Sequence, residues 1–557
     1  MTVKKFIRTR AAKGLAVLSI AALALTGCTT TGDNNEGNNN NAGGESGTAD
    51  SLLVGTTDKV TVLDPAGSYD NGSYFVMVQV FPFLTTYKPG TSEIENGIAE
   101  SAEFTSDTEY TVKLKKDLKF ANGNTLDSSD VKFSFDRQLK IADANGPSSL
   151  LSAIESVETP DADTVVFKLN RENDQTFPLI LAGPAGPIVD EEVFDADKIT
   201  DDNTIVQEKA FGGPYQIDTY NFNQVIDYKA NPNYAGAGEG AKTPNITMKY
   251  YADANNMKLD VQKGDIDVAW RSFSATDIED LESKDNLTVH KGPGGEIRYI
   301  VFNFDTMPYG AKTDEADPAK AKAVRQAAAN LIDREALGEN VYKGTFKPLQ
   351  SYVPEGMAGA NEALKGLYGD GSGAPDAAKA KKVLEDAGVS TPVELKLQYN
   401  PDHYGPSSGD EYAQVKSQLE KDNLFKVDLQ STEWVQYAKD RTADVYPAYQ
   451  LGWFPDYSDA DNYLVPFFLN DGDKYKAFLA NHYTNEDVNK LLLDQVSNPD
   501  EDARAKEIGQ IQDKLAEDLP TLPLLQGQQI AVAGKDVKGV DETLDASYIF
   551  RLALLSK

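Results

Sequence analysis

Along residues 51–557 the chain switches repeatedly between short apolar runs and stretches of mixed polarity. Residues 52–54 and 60–63 read as strands, the second ending at the turn pair Asp64-Pro65, and 74–81 reads as an aromatic-rich helix stopped by Pro82. Period-two alternation predicts strands at 110–114 and 165–169. Between them, 121–124 forms a turn and Asp127 caps a helix within 126–137. A second α/β region occupies 205–300, with alternation over 216–229 and a strand at 245–251. The third region opens on a strand at 299–304. It continues through helices at 319–330, behind Pro318, and at 374–387, closed by Gly388, then 411–419, 487–496 and 503–517, with strands at 393–399 and 426–430. Strands alternating with helices predict α/β layers. No short-period repeat occurs, so solenoids and propellers are unsupported.

The N-terminus has a different texture. Lys4, Lys5, Arg8, Arg10 and Lys13 precede the apolar run LAVLSIAALAL at 15–25, which is too short to span a bilayer and reads as an export signal over residues 1–27. It ends in Leu25-Thr26-Gly27-Cys28, and Cys28 is the only cysteine. This tetrapeptide resembles a bacterial lipobox, which implies cleavage before Cys28, acylation of its thiol and a lipid tether. Residues 28–50, rich in Asn, Gly and Thr, read as a flexible spacer. No later stretch reaches eighteen uninterrupted apolar residues, so the expected location is the outer face of the cytoplasmic membrane, held by lipid, or the periplasm where an outer membrane exists.

Composition removes whole classes of function. With 557 residues, 40% hydrophobic and 25% charged, the body is that of a folded soluble protein. A net charge of −33 repels phosphate backbones, which sets nucleic acid aside. An acylated Cys28 leaves no thiol for disulfides, metal or catalysis. Three histidines (His290, His403, His482), with no HExxH, supply metal or Ser/His/Asp chemistry poorly and read as ordinary surface or loop residues. No GxxxxGK[ST] occurs, and GPGG at 292–295 and GDGSG at 369–373 are turns. Carboxylates are too abundant for any glycosidase-like pair to be informative. No cofactor and no metal are expected.

One constellation stands out. Trp434 is followed by GWFPDY at 452–457 and by Asp459, Asp461, Asn462 and Tyr463, so two of the three tryptophans fall here. An apolar wall beside an isolated carboxylate suits a ligand with an ammonium and hydrophobic side chains, the cation pairing with Asp456. Gly452 would admit close backbone approach. Core tryptophans with a solvated turn at 456–461 are the competing reading, and composition alone favours it. A calcium loop starting at Asp459 lacks the required Gly and closing Glu.

The order of short motifs resembles the peptide/nickel class of extracellular solute-binding proteins that serve ATP-binding-cassette importers. The pieces are Leu63-Asp64-Pro65, FANG at 120–123, SDVKFS at 129–134, Gly213-Pro214-Tyr215, GDID at 264–267, Phe302-Asn303, VRQA at 324–327 with Ile332-Asp333-Arg334, the 380–388 helix end, Gly452-Trp453 with Asp456, and Asp518-Leu519-Pro520. The resemblance covers residues 52–540. It implies a two-lobed clamshell of α/β class with an extra domain: lobe I from 51–83, 205–300 and 519–557, the extra domain from 84–204, and lobe II from 301–518. It further implies a non-enzymatic monomer that captures di- or oligopeptides and delivers them to a permease and its ATPase. Asp456 would take the peptide amino group, Trp434 and Trp453 resemble pocket-lining tryptophans of the class, and Arg441 resembles a cationic position whose bland reading is a surface salt bridge; Gly452 and Phe454, from the constellation itself, and Trp270, as the remaining tryptophan, complete the ligand-binding candidates. One departure is Gln450, where some relatives carry arginine. Oligosaccharide or another small solute is the alternative ligand, and an exported hydrolase the minor one.

Overall fold

The computed structural model describes residues 50–557 except 272, 402, 406, 473, 474 and 546–548, and for Val435 the backbone alone. The expected signal, Cys28 and all but the end of the spacer lie outside the described residues.

An eleven-stranded mixed sheet organises the body. Its order is Phe425–Ser431, Val393–Tyr399, Ala448–Trp453, Leu287–Phe302, Thr521–Gly534, Val268–Trp270, Ser51–Thr56, Asn245–Tyr250, Val225–Ala230 and Tyr215–Asn221, with Phe346–Pro348 also on Thr521–Gly534. The α/β layering expected from the sequence is therefore present. A separate antiparallel sheet, in the order Ala99–Ser106, Glu109–Leu114, Thr164–Leu169, Ile154–Asp161, carries the helix Ser128–Ile141. That helix begins as its sequence dictates: Asp127 accepts from the first turn while Asp130 accepts from the Asp127 backbone.

The expected strand at 60–63 is not formed. Its backbone donors go to side chains instead, Val60 to Asn223, Thr61 to Ser73 and Leu63 to Asp202, so the segment is pinned as an irregular loop. The motif Leu63-Asp64-Pro65 anchors this loop. Asp64 is fully buried, accepts from the Thr200 backbone at 2.7 Å and pairs with Arg137 of the helix above at 2.9 and 2.5 Å. Two charges out of water are tolerated here because the pairing is bidentate and further hydrogen-bonded.

The two longest strands belong to more than one core. One cluster draws its members from Ile297 to Leu525; a second includes Leu52, Trp270, Ala531 and Leu555; a third lies between Leu84 and Ile188; a small fourth includes Leu287 and Val532. Leu287–Phe302 and Thr521–Gly534 thus pass from one core to another, and their pairing register slips between Pro293 and Ile297. Backbones meet closely at this point: a Cβ on Gly294 would fall 2.5 Å from the Gly527 carbonyl oxygen.

Candidate functional site

Beside this crossing lies a cleft of about 500 Å³. One wall comes from the loop and helix start at Tyr69–Tyr74, with Tyr87, Gly183 and Pro184; the other comes from His403, Tyr404, Trp434, residues 452–457 and Phe478. The strand Ala448–Trp453 ends at the cleft, and Pro455 turns the chain so that Asp456 enters it.

Asn462 sets the geometry of this turn. Its side-chain oxygen accepts from the Trp453 indole N–H and from the Asp456 backbone N–H, each at 2.8 Å, while its amide N–H donates to the Asp456 carboxylate at 3.3 Å. From the opposite wall the Tyr69 hydroxyl donates to the other carboxylate oxygen. Burial pushes the Asp456 carboxyl up to about 6 against the help of Asn462. Among the described residues no Lys or Arg lies within ion-pair distance of it.

The neighbouring acids are spoken for. Asp459 is paired bidentately with Arg504 at 2.6 and 2.9 Å, and Asp461 accepts from Tyr457 at 2.7 Å and from Gln495. Both are buried, so 456–461 is neither a solvated turn nor the start of a calcium loop.

Of the residues singled out by the sequence, Asp456, Trp453, Phe454, Gly452 and Trp434 come together in the cleft. Trp434 opens the helix Trp434–Thr442 and stacks on His403, ring centroids 3.8 Å apart, with Tyr404 edge-on at 5.7 Å. Trp453 meets Phe467 edge-to-face at 5.0 Å. At Gly452 a Cβ would approach the Ile297 carbonyl to 2.8 Å and the Tyr404 ring to 3.0 Å, so the glycine makes room for that ring. Trp270 is elsewhere. It is 1% exposed, sandwiched between Phe75 at 4.9 Å and Phe550 at 5.2 Å, a core residue outside the cleft lining.

Among the described residues Arg441 forms no salt bridge. It is buried behind the cleft wall, donating to the Phe478 carbonyl at 2.9 Å with its guanidinium 4.4 Å from the Phe478 ring centre. Gln450 is fully buried, its amide oxygen accepting from the Asn400 backbone and its N–H donating to Ser408, so it holds the loop that carries His403 and Tyr404. Tyr69, Tyr74, Tyr87, His403, Tyr404 and Phe478 were not singled out by the sequence. His403, expected as an ordinary loop residue, stands in the cleft wall. Away from the cleft lining, Asp305, Asp444 and His482 form a grouping of metal-ligand type, but Lys312 already pairs with both aspartates at 2.8 and 3.6 Å. Among the described residues no helix is long and apolar enough to cross a membrane.

Two cores joined by a pair of shared strands, with a ligand-sized cleft beside the crossing, make the fold that of a two-lobed solute receptor. The family model for bacterial extracellular solute-binding proteins, family 5 (middle region), matches residues 93–475, and the chain belongs to this family. It is 26% identical over 520 residues to a probable D,D-dipeptide-binding periplasmic protein of Escherichia coli (strain K12), covering 91% of this chain and 94% of that one. It is 24% identical to a nickel-binding protein of Staphylococcus aureus (strain NCTC 8325 / PS 47), covering 82% and 85%. Among solved structures, the unliganded open form of a periplasmic murein tripeptide binding protein superposes with a TM-score of 0.75 at 19% identity, covering 93% of this chain and 99% of that one, and shares the fold.

Proposed function

We propose that this protein is the ligand-capturing receptor of an ATP-driven importer, taking up short peptides outside the cytoplasm and handing them to a permease powered by a separate ATPase. The observation that carries the peptide reading is Asp456: a half-buried carboxylate, held by Asn462, facing an aromatic-walled cleft with no cation beside it among the described residues. A peptide's terminal ammonium supplies the missing charge. Trp453, Trp434, Phe454 and Gly452 shape the space for its first residues, and Arg441 supports Phe478 from behind.

In this reading the lobes are built from 51–83, 205–300 and 519–557 on one side and 301–518 on the other, with 84–204 as the extra domain. The cores support this division in outline: the changeover falls within the two long strands, so that Ile297–Phe302 and Leu522–Leu525 pack with 301–518, and Leu179, Val189 and Phe194 pack with the first lobe. Ligand binding is then stabilised by contacts from both walls at once. The protein works as a non-catalytic monomer, tethered by lipid on Cys28; Cys28→Ser would release it from membranes into the medium or periplasm. The relatives differ in ligand, so the fold does not choose among them. Release of carried ligand by acid, followed by mass spectrometry, decides. Mixed-sequence peptides in a narrow length window are expected, whereas a single sugar or chelate would overturn the role given to Asp456.

A further inference from the structure

Nine of the seventeen residues lining the cleft are Phe, Tyr or Trp, and the lining contains two carboxylates and, among the described residues, neither Lys nor Arg. One of the carboxylates is already committed. Asp70 caps its helix, accepting from the Ser73 backbone and hydroxyl at 2.9 Å each, from Thr61 at 2.6 Å and from Ser68 at 3.1 Å. Asp70's oxygens are thus taken up by its own loop, and Asp456 is the carboxylate the cleft turns toward a ligand. Two buried guanidiniums lie behind the wall: Arg441 is turned onto the Phe478 ring and carbonyl, and Arg298 sits over the Tyr404 ring, 4.9 Å from its centre, and pairs with Glu296. Around Asp456 the surfaces are ring faces and edges: Tyr69 on one side, Trp453 and Phe454 on the other, and the His403–Trp434 stack with Tyr404 beyond.

We propose that the cleft reads only one end of its ligand: an ammonium at Asp456 followed directly by an apolar or aromatic side chain, with no carboxylate required at the other end. The inference rests on the assignment of Asp456 to the amino group and narrows it to a substrate class. Amine-headed, hydrophobic short peptides qualify, and so do their amides and esters. Rings favour a cation at the head and an apolar group behind it, while an acidic first side chain would be brought beside Asp456 and repelled. A carboxylate at the far end finds no charged partner among the described lining residues, so its neutralisation changes little.

Calorimetric titration of the purified protein with Phe-Ala-Ala, its N-acetyl and C-amide forms, Gly-Ala-Ala and Asp-Ala-Ala tests this. The amide is expected to bind within about twofold of the free acid, and the Phe-first peptide about tenfold or more tighter than the Asp-first one. Trp434→Ala is expected to weaken the Phe-first peptide about tenfold more than the Gly-first peptide, a split that a merely structural role for Trp434 would not produce. Loss of binding on amidation, or equal binding of Asp-first and Phe-first peptides, overturns one-ended reading while leaving Asp456 as the amino site. Undiminished binding of the N-acetyl peptide overturns the assignment of Asp456 itself.

Discussion

The Tyr69 hydroxyl donates to the Asp456 carboxylate across the cleft, joining residues 387 apart in sequence. The contact places a phenol from one wall on the carboxylate that the other wall turns into the cleft. It makes the ionisation of Asp456 a property of both walls, and several expectations concern that pair and its supports.

Affinity for free-amine peptides is expected to rise with pH through about 6, because the ammonium pairs with ionised Asp456, whose carboxyl is raised to about 6 by burial. The ligand-free protein responds in the opposite sense. A carboxyl raised above its unfolded value binds more protons in the native state, so this group's contribution to stability is present at low pH and is lost as pH climbs through about 6. Titration calorimetry and thermal melts between about pH 5 and about pH 8 check both signs; affinity that is flat with pH would sink the ion-pair assignment.

Tyr69→Phe removes a donor to the ionised carboxylate. The pH midpoint of peptide binding should move upward toward neutrality, since a hydrogen bond to the charged form favours that form. An unchanged midpoint would mean that the phenol does not bear on Asp456 in solution.

Asn462→Ala frees both Trp453 and Asp456 at once. About tenfold weaker peptide binding is expected, corresponding to about 1–2 kcal/mol, together with a changed Trp fluorescence response to ligand. Tight binding by this variant would show that Asn462 does not set the turn.

Gly452→Ala puts a methyl between the Ile297 carbonyl and the Tyr404 ring. A loss of about 1–3 kcal/mol in stability is expected, with weaker binding as Tyr404 is displaced into the cleft. Denaturant melts alongside peptide titration measure the two effects separately.

Trp270→Ala should cost about 3–5 kcal/mol by emptying the space between Phe75 and Phe550. Trp270→Phe keeps the protein folded for titration, and its peptide affinity should match the wild type. A clear loss of affinity in the Phe variant would return Trp270 to the binding site.

What the sequence made legible follows from distance along the chain. Asp456, Trp453, Phe454 and Gly452 sit in one short segment, with Trp434 on the preceding helix, so composition alone brought them to notice. Tyr69, Tyr74 and Tyr87 reach the same cleft from the opposite end of the body through the sheet, and no local pattern announces that. Trp270 was drawn in because tryptophan is scarce, but scarcity carries no information about position. Helices were clear where caps and periodicity agree, as at Asp127 and Pro318. The strand Thr521–Gly534 was not read because it is buried on both faces along most of its length and shows no alternation. Residues 60–63 misled in the other direction, since their β-branched pattern is overruled by side chains that claim their backbone donors.

The strand Thr521–Gly534 stands at the centre of the sheet, between Leu287–Phe302 and Val268–Trp270, and it is the last of the described strands in order of synthesis. Until it emerges, the strands that flank it have unpaired edges, and the two largest cores lack residues they share through it. A chain released strand by strand therefore cannot seal its centre early. Closure of the sheet waits for Thr521–Gly534, which keeps a nascent chain short of its finished fold until that strand is free.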